Sequence, residues 1–445
     1  MSFHSEKLAA IIAQVKQRQN AGEPVALSKR SVPHVVPDPK DPRIDRPKID
    51  LRGLNDIITI DERERTCTAE SGVTFSDLVL ATLPKGLIPL TVPELKGITV
   101  GGAVTGCSIE SMSYKYGGFH DSCLEYEVVT STGEVLVCSE QRESDIFQML
   151  HGSYGTLGIL TKLKFRLIPA KPFVKMSYVT VRTAEEYMEI LKQHCEANDY
   201  DFVDGIVHGL DQFVACLGTM VDEVPYISTY ERANIFYKST ARLEDDFMTT
   251  YDYFFRYDTD CHWITKAVPL LEWKLLRILL GGLCLGSTNL IRLSRALRHL
   301  LGLKKRPDIV VDVFIPSHNF LEFYRWYERE LTFFPLWIVP YRMKEIYPWI
   351  SEEHKRKIGK ENLLIDCAIY GMRNNSPGKD YSEILERKVY ELAGIKTLIS
   401  RNHYDENTFW SIYNRPLYSQ VKSRTDPSHL FGDLYTKLHP HRNQR

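Results

Sequence analysis

The first segment of the chain has the apolar spacing of a helix. Leu8, Ile11, Ile12 and Val15 stand three or four positions apart among polar residues, which predicts an amphipathic helix within residues 1–23. No apolar run of signal-peptide length interrupts this pattern. We therefore expect neither a signal peptide nor a membrane anchor here.

After this helix, the pattern changes to short strands and turns. Strand patterns occur over residues 57–60, 66–70, 126–131, 134–138 and 163–167, and a helix pattern occurs over 78–83. Thr74 can cap the helix, and Thr132-Gly133 predicts a hairpin between its two flanking strands. The last of these strands alternates Leu or Phe with Lys or Arg, the period of a strand with one wet face. Together, these elements indicate a first unit that ends near Pro169.

From residue 171 onward, strands and helices alternate at longer intervals. Strands are predicted over 174–180, 202–208, 213–218, 309–315, 336–340 and 363–370, and helices over 184–196, 319–330 and 382–392. This order is typical of an α+β unit with helices on one face of a mostly antiparallel sheet.

Composition narrows the class of protein. With 445 residues, 43% of them hydrophobic, the chain can build about two or three domains. A net charge of −1 argues against nucleic acid as a partner. Nine cysteines without a C-x-x-C pair indicate reduced thiols and a cytoplasmic setting. No H-E-x-x-H or zinc-like Cys/His spacing occurs, so we expect no metal site.

Glycines cluster in two stretches that favour a ligand contact. They stand at positions 97, 101, 102, 106, 117 and 118, and again at 152, 155 and 158. A residue without a Cβ lets backbone amides approach a diphosphate closely. Tight turns without a ligand are the alternative. Neither G-x-G-x-x-G nor a P-loop motif is present, which disfavours a Rossmann or P-loop fold.

Six short pieces occur in order within about 130 residues. They are SKRSVPH (28–34), TVGG (99–102), Tyr116-Gly117, LEYEVV (124–129), Thr132-Gly133 and GTLGI (155–159). In this order they resemble the FAD domain of the vanillyl-alcohol oxidase/PCMH superfamily. The ending TDPSHLFGDLYTKL (425–438) also resembles that superfamily.

This resemblance implies a two-domain PCMH-type FAD-binding fold of the α+β class. The N-terminal helix would occupy residues 1–23, the FAD-binding domain 24–170 and a substrate or cap domain 171–400. A C-terminal segment, 401–445, would return to the FAD domain. The residues it assigns to FAD are Arg30, Ser31, Val32, His34, Pro93, Thr99, Val100, Gly101, Gly102, Gly106, Ser111, Tyr116, Gly117, Gly155, Thr156, Gly158 and Ile159. His34 is in addition a candidate for covalent attachment, with non-covalent binding as the alternative.

A narrower resemblance concerns function. PELKGITVGGAVTGCSIESMSYKYGGF (93–119) is very similar to a segment of the 24-dehydrocholesterol reductase (delta-24 sterol reductase) family, and the similarity continues over 310–342, 363–371 and 402–413. It implies hydride transfer between FAD and a hydrophobic sterol-like or isoprenoid substrate, as C=C reduction with NADPH. Oxidation of an alcohol, polyol or lipid-linked sugar is the second hypothesis. A non-catalytic lipid-binding relative is the third.

Hydride transfer by a flavin needs a proton donor or base from the protein. The candidates by position are Tyr116, Asp312, Asp366, Tyr370, Asn402, His403 and Tyr404, of which Tyr116, Asp366, Tyr370, Asn402 and Tyr404 form the expected catalytic set. An ordinary structural hydrogen bond is the alternative for each.

Residues 288–306 place leucines on one helical face and Arg or Lys around the rest. Such a helix can lie on an anionic membrane surface, which predicts peripheral membrane contact. A helix packed on its own domain with a solvated basic face is the alternative.

Overall fold

The computed structural model describes residues 3–21, 24–31, 45–231, 234–263, 273–275, 277–279, 285–289, 309–345, 347–360, 362–374, 376 and 378–439. Val32 and His34 of the first loop lie outside these residues. So does most of the predicted basic helix over 288–306.

The first unit is built on one mainly antiparallel sheet. Its strands are β1 (Ala26–Ser28), β2 (Lys48–Asp50), β3 (Ile57–Asp61), β4 (Thr66–Glu70), β5 (Leu87–Pro89), β6 (Cys123–Val129), β7 (Val135–Cys138) and β8 (Ile159–Pro169). The strand order is β3-β4-β8-β6-β7, with β5 also paired to β8, while β1 and β2 form a separate parallel pair. The helices are α1 (Phe3–Gln19), α2 (Phe75–Thr82), α3 (Val100–Gly106), α4 (Ser113–Tyr116) and α5 (Ser144–Met149).

Local sequence explains these elements. Along β8, Leu163, Phe165 and Leu167 are buried, whereas Lys164 and Arg166 are exposed, as the alternation predicts. Helix α2 begins after Thr74, whose side chain accepts a hydrogen bond from the Asp77 amide. The predicted strand over 66–70 is confirmed with the same bounds.

The second sheet has eight strands in the order β12-β9-β11-β10-β14-β15-β13-β16. They are β9 (Phe173–Val181), β10 (Phe202–Gly209), β11 (Gln212–Val221), β12 (Asp245–Thr249), β13 (Ile309–Pro316), β14 (Leu336–Arg342), β15 (Leu363–Met372) and β16 (Ile395–Lys396). Every neighbouring pair is antiparallel. The helices of this part are α6 (Ala184–Ala197), α7 (Phe236–Thr240), α8 (Thr250–Phe254), α9 (Phe320–Glu330), α10 (Glu352–Ile358) and α11 (Tyr381–Glu391).

The two faces of the second sheet pack differently. One face, with residues such as Val203 and Ile338, shares an apolar core with α6, α9 and α11. The opposite face, with residues such as Ile206 and Trp337, shares a continuous apolar core with the first unit. Helices therefore cover one face of an antiparallel sheet, as predicted, and the first unit covers the other.

The end of the chain packs against the first unit. It forms α12 (Glu406–Ile412), α13 (Arg415–Thr425) and α14 (Leu434–Leu438). The Val25 amide donates to Leu430 O at 2.9 Å, and the Arg424 guanidinium lies 2.6 Å from the Glu143 carboxylate. These contacts join residues more than 250 positions apart in the sequence.

The cysteine content predicted reduced thiols. All eight cysteines that the structure describes are free thiols. Within the described residues, no helix is long and apolar enough to cross a membrane.

Candidate active site

A cavity lies between the first unit and the second sheet. It contains about 810 Å³ of empty space, including its mouth. Gly106, Cys107, Gly152 and Ser153 of the first unit form one side. The rest of the wall is mostly aromatic or aliphatic and includes Phe314, Tyr341, Tyr347, Trp349, Leu364, Trp410, Tyr413 and Tyr418. Such a space suits a planar ring system or another hydrophobic ligand.

Helix α3 places the first glycine stretch at this cavity. Thr99 caps the helix, because its Oγ1 accepts a hydrogen bond from the Gly102 amide at 3.2 Å. The Val100 and Gly101 amides donate at 2.9 Å to carbonyls of the turn between β4 and α2. The glycines predicted backbone amides that are available to a diphosphate. The structure instead shows a short helix in which these amides already have protein partners.

Packing divides the glycines of α3 into two kinds. A Cβ on Gly101 would lie 2.6 Å from the Ser71 Cβ, so the fold itself excludes a side chain there. A Cβ on Gly106 would meet no protein atom within 4 Å. Because Gly106 also lines the cavity, a side chain there would enter ligand space. Among the predicted cofactor contacts that the structure describes, Gly106 is the one that lines the cavity directly.

A lysine of the first loop reaches the start of α3. The Lys29 Nζ lies 3.6 Å from the position that a Cβ on Gly102 would occupy. Arg30 borders a separate open groove beside His4 and Asn55, and Ser31 is half-buried. Sequence reasoning assigned Arg30 and Ser31 to the cofactor and missed Lys29. The available signal was its place in the same basic loop.

The second glycine stretch is tied to the C-terminal helices. The Lys437 ammonium donates to Tyr154 O at 2.9 Å, next to Gly155 with its positive φ of 69°. The Lys422 ammonium donates to Thr156 O at 2.6 Å. These two lysines fix the loop that borders the cavity, and sequence reasoning did not single them out.

The end of this stretch belongs to the sheet and not to the cavity wall. A Cβ on Gly158 would lie 2.6 Å from the Val128 Cγ1. Ile159 is buried and pairs with Val129 across the sheet. For both positions, strand packing explains the residue type.

Ser111 lies in a buried polar network between the two sheets. Its hydroxyl bonds the Glu110 carboxylate and lies 2.9 Å from the Tyr253 hydroxyl. The Arg256 Nη2 lies 2.9 Å from Glu110 and 3.0 Å from Asp204 of β10. Burial raises the pKa of Glu110, while the Arg256 guanidinium opposes that rise. The network holds the loop after α3 against the second sheet.

The remaining predicted contacts of the first unit surround this loop. Tyr116 is half-buried at the end of α4, and burial raises the pKa of its phenol. Gly117 has a positive φ of 78°, and a Cβ there would lie 2.2 Å from the Asp121 carboxylate. Pro93 is buried. Sterics alone account for glycine at position 117.

Asn402 and Tyr404 serve the packing of the chain end. The Asn402 amide donates to the carbonyls of Ser400 and Leu438, each at 3.0 Å. The Tyr404 hydroxyl donates to Glu386 O at 3.2 Å. These contacts fit the structural alternative for both residues.

Asp312 and Tyr370 form a hydrogen-bonded pair on the second sheet, with the buried Asp366 beside them. The Tyr370 hydroxyl donates to the Asp312 carboxylate, and the Thr397 hydroxyl lies 3.3 Å from the same carboxylate. Burial raises the pKa of Asp312 to about 6, and these hydrogen bonds oppose the rise. Burial, and then the neighbouring Asp312, raise the pKa of Asp366 well above its usual value.

Glu94 is a third acidic residue near Asp312 and Asp366. No sequence pattern predicted its place in the site. Burial and the nearby carboxyl of Asp312 raise the pKa of Glu94 to about 8. Its position just before α3 offered no catalytic pattern. A carboxyl with a pKa near neutrality can hold or release a proton under ordinary conditions.

We expect Glu94→Gln to flatten the pH dependence of stability. Between pH 4.5 and about 8, folded Glu94 keeps a proton that the unfolded chain has lost, so folded stability falls as pH rises through this window. The free energy of unfolding should lose up to about 1.4 kcal/mol per pH unit in the parent and less in the variant. Urea unfolding at pH 5 to 8 measures this. The exposed Glu352→Gln is the control and should leave the slope unchanged; equal slopes in all three proteins would contradict the assignment.

Two buried histidines lie beside the cavity. The His120 and His151 ring centroids are 4.8 Å apart, and the Tyr126 hydroxyl lies 2.9 Å from the His151 Nε2. Burial lowers the pKa of each imidazole, so both are neutral near pH 7. His151 lines the cavity and His120 stands behind it.

Comparison with protein families defines the class. A family model described as an FAD binding domain matches residues 41–139. The chain is an FAD-dependent oxidoreductase, and the predicted cofactor, FAD, is confirmed. The structure fits this cofactor: Gly106 leaves open space at an apolar cavity, and Lys29 places a cation beside Gly102, where a diphosphate could be held.

The chain is similar to Delta(24)-sterol reductases over most of its length. It is 26% identical to the one from Homo sapiens, over 86% of this chain and 76% of that protein. It is 25% identical to the one from Arabidopsis thaliana, over 98% of this chain and 84% of that protein. A shorter match, 33% identical over 30% of this chain and 26% of that protein, is to cytokinin dehydrogenase 7 of Oryza sativa subsp. japonica. These matches confirm the resemblance inferred from the motifs.

Proposed function

We propose that this flavoprotein reduces a C=C bond of a hydrophobic, sterol-like or isoprenoid substrate with NADPH as the reductant. The observation that carries the proposal is the aromatic cavity, which lies beside Gly106 and has few polar groups in its wall. A polyol or free sugar would leave its hydroxyl groups unpaired there, at a cost in binding free energy. The names of the similar reductases support the same substrate class.

The residues of the chain have separable tasks in this proposal. FAD, when bound, supplies the hydride chemistry. The aromatic wall excludes water and orients the apolar substrate. Of the expected catalytic set, Asp366 and Tyr370 lie on the sheet face that continues into the cavity wall. Tyr116 lies at the end of α4 in the first unit, and Asn402 and Tyr404 have packing contacts.

We also propose the arrangement in which the chain divides near residue 170. The FAD-binding domain would comprise residues 24–170 together with the returning segment 401–445, preceded by the helix at 1–23, and the cap domain residues 171–400. Contacts of Lys422 and Lys437 with the loop at 154–156 support the return. In this arrangement, the substrate reaches the cavity between the two parts.

Anaerobic mixing tests the proposed function. The FAD-loaded protein should bleach rapidly with NADPH and recover its colour when a Δ24-unsaturated sterol is added. Bleaching by a primary alcohol or polyol, and not by NADPH, would support an alcohol oxidase or dehydrogenase instead. Protein that retains FAD but is bleached by neither donor would support the non-catalytic hypothesis.

We propose peripheral contact with an anionic lipid surface at residues 273–275 and 277–279. Trp273, Leu275 and Leu279 are 67%, 70% and 67% exposed, while Arg277 is anchored inward by an ion pair with Asp260 at 2.8 Å. The sequence from Trp273 to Arg306 has eight Lys or Arg and no Asp or Glu. Exposed apolar side chains within a basic sequence fit an anionic bilayer surface.

Vesicle flotation tests this contact. The full chain should float with phosphatidylserine-containing vesicles and less with pure phosphatidylcholine, and Trp273→Ser/Leu279→Ser should abolish flotation. Leu210→Ser, which removes an exposed leucine elsewhere, should float like the parent. Equal flotation of both variants would contradict the assignment.

A further inference from the structure

Asp312 and Asp366 each lie two positions along a strand from a residue that lines the cavity. Phe314 of β13 and Leu364 of β15 line the cavity, and side chains two positions apart on a strand share a face. Asp312 and Asp366 are these neighbours. Asp366 is directly opposite Phe314, and Asp312 is opposite Ala368, so the two carboxyls are diagonal neighbours. Diagonal side chains on one face are about 7–8 Å apart, and the Asp312 carboxyl acts electrostatically on Asp366.

Polar contacts connect Asp312 with the cavity. The Thr397 hydroxyl lies 3.3 Å from the Asp312 Oδ2, and Thr397 itself lines the cavity. The Tyr370 hydroxyl donates to the other oxygen of Asp312. Asp366 is only 1% exposed, and its Oδ1 has no hydrogen-bond partner within the described part of the chain. An unpaired buried oxygen is costly unless a proton or ligand satisfies it.

Charge around the pair favours retention of protons. Among the described residues, no lysine, arginine or histidine forms an ion pair with Asp312 or Asp366. The nearby Arg256 is already bound to Glu110 and Asp204. The titratable or charged groups that act on the pair or on Glu94 are Glu94, Tyr154, Tyr370, Cys261, Cys367, Glu110 and Arg256. Neighbouring carboxyls with so little positive charge nearby cannot all ionise.

We propose that Asp312 and Asp366 form a proton-storing pair that delivers a proton into the cavity through the Thr397 hydroxyl. This inference rests on the proposed function. In C=C reduction, the π bond breaks, one carbon takes the hydride derived from NADPH, and the other carbon takes a proton, which gives two new C–H bonds. The pair then lacks one proton. In this scheme, the half-buried carboxyl of Glu94, which acts electrostatically on Asp366, restores it from solvent.

Infrared spectroscopy tests the stored proton without turnover. At pH 7, the protein with and without FAD should show the C=O band of a protonated carboxylic acid, and Asp366→Asn should remove intensity from it. Asp50→Asn is the matched control, because the exposed Asp50 has a pKa lowered by Arg52 and is already ionised. Absence of the band in the parent at pH 7 would overturn the proposal.

Stopped-flow kinetics test delivery. Thr397→Val keeps both carboxyls and removes only the connecting hydroxyl. It should retain the infrared band and the rate of flavin bleaching by NADPH, and slow reoxidation by the sterol by about 100-fold or more. An unchanged reoxidation rate and pH profile would overturn the delivery route. Failure of the parent to react with NADPH or sterol would refute the proposed function instead, while the infrared result would still report on the pair.

Discussion

Gly106→Leu should fold with at least the stability of the parent and lose most of its affinity for FAD. A Cβ at this position meets no protein atom within 4 Å, and the position lines the cavity. Leucine also has a better helix propensity than glycine by up to about 1 kcal/mol. A side chain placed in ligand space should cost about 1–3 kcal/mol of binding, roughly 5- to 150-fold in Kd.

Fluorescence titration with FAD and thermal unfolding measure the two effects separately. Gly53→Leu is the control, because Gly53 also has no atom within 4 Å of its Cβ position but does not line the cavity. Gly101→Ala should instead lose stability, since its Cβ would overlap Ser71. Normal FAD affinity in Gly106→Leu would place the flavin elsewhere.

Arg256→Met should destabilise the protein by about 3–5 kcal/mol. The Arg256 side chain is fully buried, and its loss leaves Glu110 and Asp204 without their shared cation. The guanidinium also lies 4.0 Å from the Tyr253 ring centroid, so cation–π contact is lost as well. Since Glu110 belongs to the loop after α3, FAD retention should fall together with stability.

Denaturant unfolding of three variants compares the loss of a buried arginine with the loss of an exposed one. Arg325→Met removes an exposed ion pair with Glu185 and should cost at most about 1 kcal/mol. Adding Glu110→Gln to Arg256→Met should recover part of the loss, because one uncompensated buried carboxylate is removed. If Arg256→Met and Arg325→Met lost equal stability, the network would have no special role.

The elements with strong periodicity were predictable from sequence. The helix predicted over 184–196 is Ala184–Ala197, and the strand predicted over 309–315 is Ile309–Pro316. In the helix, the apolar period matches the buried face. The strand is apolar and buried on both faces except at Asp312. The stretch at 99–106 was harder, because its glycines concealed a short helix that depends on the Thr99 cap and on packing against Ser71.

The candidate site was only partly predictable, because it is assembled from distant segments. Asp366 and Tyr370 were candidates from resemblance, yet the proximity of Glu94 depends on a contact across more than 200 positions. Lys29 and Lys437 lie inside the matching pieces 28–34 and 425–438, but no pattern in those pieces distinguished them from their neighbours. Asn402 and Tyr404 were candidates because they lie in a segment that matches the family. In the structure, their side chains form packing contacts with backbone carbonyls.

The crystal structure of the FAD-loaded protein is the most direct test of the flavin site. We expect the ring system in the cavity, against the Gly106 backbone and the aromatic wall, and the diphosphate near Lys29. Flavin bound outside this cavity, or side chains of the chain itself filling the cavity in the loaded protein, would contradict the account.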